Sequence, residues 1–395
     1  MTSKAFLLVA ALVTACGTGP APEPAQAFAE PTWTRVEPQG LPGGLLTDLQ
    51  SVAGWDRGFV LAGRHYVPAE PNDRGIVNRP VPDAFVSADG QSWRAASLDG
   101  VTGFAHAAAA AGYRDAAYLL GSTADGASVW RTTDGTDWQP TPVPGSRPGE
   151  ALSAIAAGPH GVVLVAFDRP MPVLDYDGVD NRDFRGLRIW HSADGATFDE
   201  PEKVDVPDLT SGYLPRVTAT ERGFVVYGVS ARGRDHATLL ESTDGVDWRK
   251  ADAAITGVPL AAGAGGGTTV VFTGRQPGGD GGPVAWRRKD GAKDWSESTD
   301  IGVGRLPDKG VGPRTEQRIA SVAAWGSGFV AAGSASSHAA VWTSPDGQRW
   351  TKAPVEANGF EAGVELTVAA NSSATLLVSA APTDPPGDVR IWRAT

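Results

Sequence analysis

The chain has 395 residues, enough for one large closed domain or two ordinary ones. Its 50 glycines and 30 prolines, with scarce helical periodicity and many short Val/Ala/Leu runs, suit short strands joined by tight turns and argue against a helical protein. A net charge of −11 with no basic run argues against a nucleic-acid groove, so no nucleic-acid partner is expected.

Residues 1–4 form a short charged start, and residues 5–13 an apolar stretch too short to span a bilayer. Val13-Thr14-Ala15-Cys16 follows, placing the sole cysteine directly after small residues. A single cysteine allows no intramolecular disulfide. The arrangement resembles a bacterial lipoprotein signal, which implies cleavage before Cys16, lipid on that residue, and export. The alternative is an ordinary secretory signal that happens to contain a cysteine. On the lipoprotein reading, residues 1–15 are the signal and residues 16–31, rich in Pro and Ala, a flexible tether. Residues 32–395 are then the folded body, held by its anchor on the outer face of the cell membrane.

Beyond Trp33 one phrase recurs: an apolar or aromatic strand residue, a tight Asp-Gly turn, then usually a second aromatic. It reads Phe85-Val-Ser-Ala-Asp89-Gly90-Gln-Ser-Trp93, then Trp130…Asp134-Gly135…Trp138 and Trp190…Asp194-Gly195…Phe198. It returns as Leu240…Asp244-Gly245…Trp248, Trp286…Asp290-Gly291…Trp295 and Trp342…Asp346-Gly347…Trp350. Before each copy stands a small-residue strand, a turn and an apolar strand, at residues 51–61, 108–120, 153–166, 216–226, 260–273 and 321–330. A seventh copy of this first half lies at residues 365–379, and Val389-Arg390-Ile391-Trp392 begins a seventh second half.

A unit of about 40 to 60 residues repeated this often marks a propeller. The sequence therefore predicts an all-β, seven-bladed β-propeller of four-stranded antiparallel blades. The last blade lacks its fourth strand, and Trp33-Thr34-Arg35-Val36 resembles Trp350-Thr351-Lys352-Ala353, so the N-terminal strand is expected to complete it and close the ring. The tryptophans recur in register, at the third strand or the start of the fourth, which reads as structural wedges between blades rather than ligand-stacking rings.

In the turn itself, Asp accepts backbone N–H bonds, Gly permits positive φ and Ser or Thr adds a local hydrogen bond. This Ser/Thr-x-Asp-Gly phrase is similar to the Asp-box (BNR) repeat of sialidase-like β-propellers, over nearly all of the body. Three copies depart from it: Phe198 stands for Trp, Arg288 takes a hydroxyl position ahead of a lengthened turn, and the seventh is cut short. The resemblance implies a structural role for Asp89, Asp134, Asp194, Asp244, Asp290 and Asp346.

Up-and-down strands put the Asp-Gly turns on one face and the long insertions, residues 64–83, 168–188, 199–216 and 296–318, on the other. Long loops on a rigid scaffold are where sites tend to lie, here around the mouth of the central channel. Arg74, Arg79, Arg185, Arg216 and Arg318 are the candidate ligand-binding residues on that face. Asp175, Asp177, Asp180 and Asp183 are spaced to offer oxygen ligands to Ca²⁺, though they match no standard calcium loop, and a solvated acidic loop is the alternative. Otherwise no cofactor is expected. His65, His106, His236 and His338 fall near the same face but in four different blades.

The resemblance implies that an active sialidase would need a Tyr–Glu pair beside clustered arginines. Tyr66, Tyr176, Tyr213, Glu150, Glu316, Glu365, Arg216 and Arg318 are the candidate parts, with Tyr176, Tyr213 and Glu316 foremost for chemistry. The family's Arg-Ile-Pro motif is absent and blade seven holds no Tyr. The reading is therefore an exported, lipid-anchored and monomeric binding or assembly module for a glycan, cell-wall component or protein. A sialidase-like exo-glycoside hydrolase is the alternative. An assembly factor for a membrane complex, a role the resemblance also implies, is the third.

Overall fold

Every repeat folds as an antiparallel sheet because its two middle strands are largely apolar and buried over their central residues while its outer strand is short and polar. The computed structural model describes residues 28–41, 48–68, 78–106, 108–170, 186–206, 209, 214–229, 236–274, 283–298, 301, 317–335, 338–354, 360, 366–381 and 388–395, and contains no helix among them. After β1 (Thr34–Val36), blade one comprises β2 (Asp48–Trp55), β3 (Gly58–Pro68), β4 (Asn78–Ser87) and β5 (Arg94–Ala95). In blade two the innermost strand is broken into β6 (Gly103–Phe104) and β7 (Ala110–Tyr113), which both pair with β8 (Ala116–Thr123), followed by β9 (Gly126–Thr132) and β10 (Gln139–Pro142). Blade three holds β11 (Glu150–Gly158), β12 (Gly161–Pro170), β13 (Gly186–Ser192) and β14 (Glu202–Asp205), and blade four β15 (Arg216–Thr220), β16 (Gly223–Val229), β17 (Ala237–Ser242) and β18 (Arg249–Lys250). Blade five is β19 (Val258–Gly265), β20 (Thr268–Gly274), β21 (Val284–Lys289) and β22 (Ser296–Glu297); blade six is β23 (Gln317–Trp325), β24 (Gly328–Ala335), β25 (His338–Ser344) and β26 (Thr351–Lys352).

Blade seven joins the two ends of the chain. Its strands β27 (Thr367–Ala370), β28 (Thr375–Ala381) and β29 (Asp388–Ala394) are completed by β1, with Thr34 opposite Arg393, Arg35 opposite Trp392 and Val36 opposite Ile391. The inner strands pack in order around the ring, and β27 returns to β2. The protein is thus a closed seven-bladed β-propeller.

Two devices hold neighbouring blades together. The first is a β-bulge at one place in the inner strands of blades one, three, five and six. In three of those blades the bulge carries a serine that reaches the next blade. Ser51 Oγ accepts the Ala110 N–H at 3.1 Å, Ser321 Oγ accepts the Val368 N–H at 2.7 Å, and Ser153 Oγ donates to the Pro215 carbonyl. The second is the Asp-Gly turn, which packs under the preceding blade: Gly90 against Leu376, Gly135 against Val86, Gly195 against Tyr118, Gly245 against His191 and Gly347 against Val270. Gly195 has φ +67°, and a Cβ there would stand 2.3 Å from the Tyr118 hydroxyl, so any other residue would be strained and would have to displace the Tyr118 ring.

Blade seven has no Asp-Gly turn to place under blade six, and the N-terminal segment takes that position. Phe28 covers Gly328, and the Ala29 carbonyl accepts the Trp325 indole N–H at 2.9 Å. Phe28 and Ala29, at the end of the stretch expected as the tether, thus touch blade six.

The tryptophans divide by position. Trp130, Trp190, Trp342 and Trp392 in the third strands are wholly enclosed, and Trp286 nearly so, whereas Trp248, Trp295 and Trp325 are half-buried.

Candidate functional site

A channel of about 680 Å³ runs down the ring axis and is lined from all seven blades. Its wall is mostly Ala, Gly, Ser and Val, because inner strands that converge on an axis leave no room for large side chains. Ser51 and Ala108 line it as expected of small residues, while Ser153 is enclosed and spent on the Pro215 bond.

Five larger polar side chains interrupt this wall, the neutral Gln50 and Asn371 and, more prominently, Arg216, Arg318 and Tyr227. Arg216 opens β15 and Arg318 lies near the start of β23, so both stand at the end of the channel opposite the Asp-Gly turns. Arg216 reaches from blade four past blade five and donates from Nη1 to the Ala320 carbonyl of blade six at 3.3 Å. Tyr227 sits directly across from it in the β15–β16 register. Burial pushes the Tyr227 phenol above the usual tyrosine range, although the Arg216 charge and hydrogen bonds from Ala262 and Arg216 oppose the shift. Among the described lining residues there is no carboxylate. A chain of net charge −11 therefore surrounds its axis with cationic and neutral groups.

Arg216 and Arg318 are the sequence candidates that the structure brings to one mouth. Arg74, Asp175, Tyr176, Asp177, Asp180, Asp183, Arg185, Tyr213 and Glu316 lie outside the described residues, as do Cys16 and Glu365. Arg79 is placed in β4 opposite Val67, but its side chain is outside the description. Glu150 has a different role: it is enclosed with Arg188 in an ion pair, and Arg188 also donates to the Gly145 carbonyl at 2.6 Å and lies over the Trp190 ring. Tyr66 is 45% exposed on the β3 arm beside Arg64.

The histidines do not converge. His65 Nδ1 meets Asp83 Oδ2 at 2.6 Å, and burial raises the Asp83 pKa despite that contact. His106 is shifted down, first by burial and then by the Arg64 charge. Among the described residues no group of three metal-ligating side chains forms.

The turn carboxylates form a repeated set. In the turn at Asp194, Oδ1 accepts the N–H groups of Ala196 and Thr197 at 2.8 and 2.9 Å and the Ser192 hydroxyl at 3.1 Å. These bonds, the two backbone donors first, lower its pKa to about 2. Asp89, Asp134, Asp244 and Asp346 accept the same pair of backbone donors and are also shifted down. Asp290 differs: burial and then the Glu221 charge shift it up. Its neighbour Arg288, at the position held elsewhere by Ser or Thr, turns away to Glu241 at 2.6 Å and over the Trp295 ring.

No protein-family model matches the chain, and no curated protein sequence matches it. Solved structures do share its fold. The structure of YCF48 bound to D1 peptide superposes with a TM-score of 0.51 at 14% identity, over 94% of this chain and 99% of that one. The acylaminoacyl peptidase of Pyrococcus horikoshii gives 0.52 at 8% identity, over 88% of this chain but only 52% of that one. A subtype N11 neuraminidase-like protein (A/flat-faced bat/Peru) gives 0.44 at 9% identity, over 92% and 94%. At these identities the likeness is one of fold.

Proposed function

We propose that the chain is an exported β-propeller, anchored through Cys16, that works as a non-catalytic binding and assembly module. Its ligand is a carboxylate-bearing segment of a partner protein, taken at the Arg216–Arg318 mouth. The observation that carries this reading is the composition of the channel wall, which includes two guanidinium groups and, among its described residues, no carboxylate. Arginine forks suit planar anions, and a narrow low-dielectric throat strengthens the attraction. YCF48, which shares the fold, has been seen with a bound D1 peptide, and that supports a protein segment over a glycan as the ligand.

The glycoside hydrolase reading finds less support. Tyr227 is the tyrosine beside an arginine in the channel, but burial holds its phenol protonated, the reverse of an activated nucleophile. None of the described lining residues is a base that could take its proton.

Calorimetric titration with short acidic peptides, and separately with sialylated oligosaccharides, tests the proposal. Peptide binding should be salt-sensitive and weaken about ten-fold, or ~1.4 kcal/mol, in Arg216→Ala and in Arg318→Ala. Turnover of a fluorogenic sialoside, abolished by Tyr227→Phe, would instead establish the hydrolase. The anchor is tested separately: Cys16→Ser should release the protein from the membrane fraction or leave it unprocessed.

A further inference from the structure

The N-terminal segment reaches the folded body on a definite side. The fourth strand of a blade begins on the Asp-Gly face, so Trp33 and β1 start there. Upstream of them the chain stays on that face: Ala29 is bonded to Trp325 at the β23–β24 turn, and Phe28 covers Gly328. The Arg216–Arg318 mouth lies at the other end of the channel.

From these positions we infer that the Asp-Gly face is the membrane-proximal face, and that the Arg216–Arg318 mouth opens away from the lipid toward a partner that projects into the aqueous compartment. The inference rests on the proposed lipidation of Cys16. Twelve peptide steps separate Cys16 from Phe28, which at full extension reach about 40 Å. An anchor below the Asp-Gly face uses that reach with slack to spare. Bringing the anchor to the opposite face would mean passing under two more strands, roughly 10 Å, and climbing a blade, roughly 25 Å. That path consumes nearly the whole contour and leaves the segment taut.

Charge decides how the body sits. Asp89, Asp134, Asp194, Asp244 and Asp346 all project from the membrane-proximal face, and the backbone donors at Asp194 keep its carboxylate ionised down to a pH of about 2. The turns of this face also carry Arg57, Arg114, Arg222, Lys293 and Arg349, but acids outnumber them, so anionic headgroups repel the face and the propeller stands off on its tether rather than lying flat. A mouth turned outward meets soluble or protruding segments and does not reach a chain embedded in the same leaflet.

Cys16 is the sole cysteine and is occupied by lipid on this reading, so single reporter cysteines can be placed at will. The lipidated full chain is inserted in anionic vesicles that carry a headgroup quencher. A fluorophore is placed at Val246→Cys, 46% exposed in an Asp-Gly turn, or at Tyr66→Cys, 45% exposed on the opposite side. Quenching should be at least about two-fold stronger at position 246, the sites being separated by roughly the height of a blade. Equal quenching, or stronger quenching at position 66, overturns the orientation while leaving the anchor intact. Failure of the wild-type chain to float with the vesicles overturns the anchor and this inference with it. Inserting a long Gly/Ser segment after residue 27 should shrink the difference; an unchanged difference would show that something other than tether length sets the orientation, and would overturn the argument.

Discussion

Six Asp-Gly turns share a sequence phrase, yet their carboxylates do not share a chemistry. Asp194 accepts two backbone N–H bonds and has a pKa near 2, whereas Asp290 is shifted up by burial and Glu221. A carboxylate whose folded pKa lies below its unfolded value of 3.8 stabilises the protein above that value. That contribution is lost as pH falls through about 2. A carboxylate shifted the other way costs stability once pH rises past its folded pKa. Asp194→Asn should therefore lower stability at pH 7 by about 1 kcal/mol, a figure reduced for the exposure of the turn. Asp290→Asn should leave stability unchanged or raise it by up to about 0.5 kcal/mol. Urea denaturation of both variants at pH 7 and at pH 2.5 checks the signs, and both differences should shrink in acid. The sequence marks this exception, since Arg288 replaces the hydroxyl and the turn is one residue longer, but it does not show that Glu221 from the neighbouring blade stands beside it.

Strands and hairpins were legible wherever a local rule set the register. The third-strand tryptophans are an example: their recurrence placed them between blades, and Trp342 is enclosed. Trp342→Ala should cost about 3–5 kcal/mol. The pairing of Arg216 with Tyr227 was also within reach, because the two-residue turn joining Thr220 to Gly223 fixes every partner further along the hairpin. What stayed hidden depends on contacts between repeats. Glu150 reads as a loop carboxylate until Arg188, 38 residues on, is seen to close over it. Arg188→Met should cost about 3–5 kcal/mol by leaving Glu150 charged and enclosed without its partner. The serine stitches were hidden for a related reason: each sits on a bulge, and a bulge shifts the alternation by which a sequence assigns inward and outward residues. Removing the Ser321 hydroxyl strands the Val368 N–H, so Ser321→Ala should cost about 1–3 kcal/mol; a double-mutant comparison with the Ser51→Ala change, two blades away, should be additive.

At the scale of the molecule, the ring is a chain whose ends hold each other without a covalent link. Seven blades can be counted from the repeats, and the need for a borrowed strand follows from the missing one. The second half of the closure, Phe28 and Ala29 standing in for an absent Asp-Gly turn beneath blade six, has no counterpart in the repeat phrase and so left no pattern to read. Closure makes a specific demand on energetics. In a ring that opens readily, blade seven would fray first, and a crosslink there would add little. In a ring that unfolds as one unit, a crosslink between β1 and β29 spans almost the whole chain and removes a large part of the unfolded chain's entropy. Thr34 and Arg393 face each other across that pair, Thr34 exposed and Arg393 half-buried. The double change Thr34→Cys/Arg393→Cys, made with Cys16→Ser, provides the only two thiols. The oxidised form should be about 2–4 kcal/mol more stable than the reduced form, read as a shift of a single urea transition. An oxidised protein with an unshifted main transition, and only a local event removed, would show that blade seven opens independently of the other six.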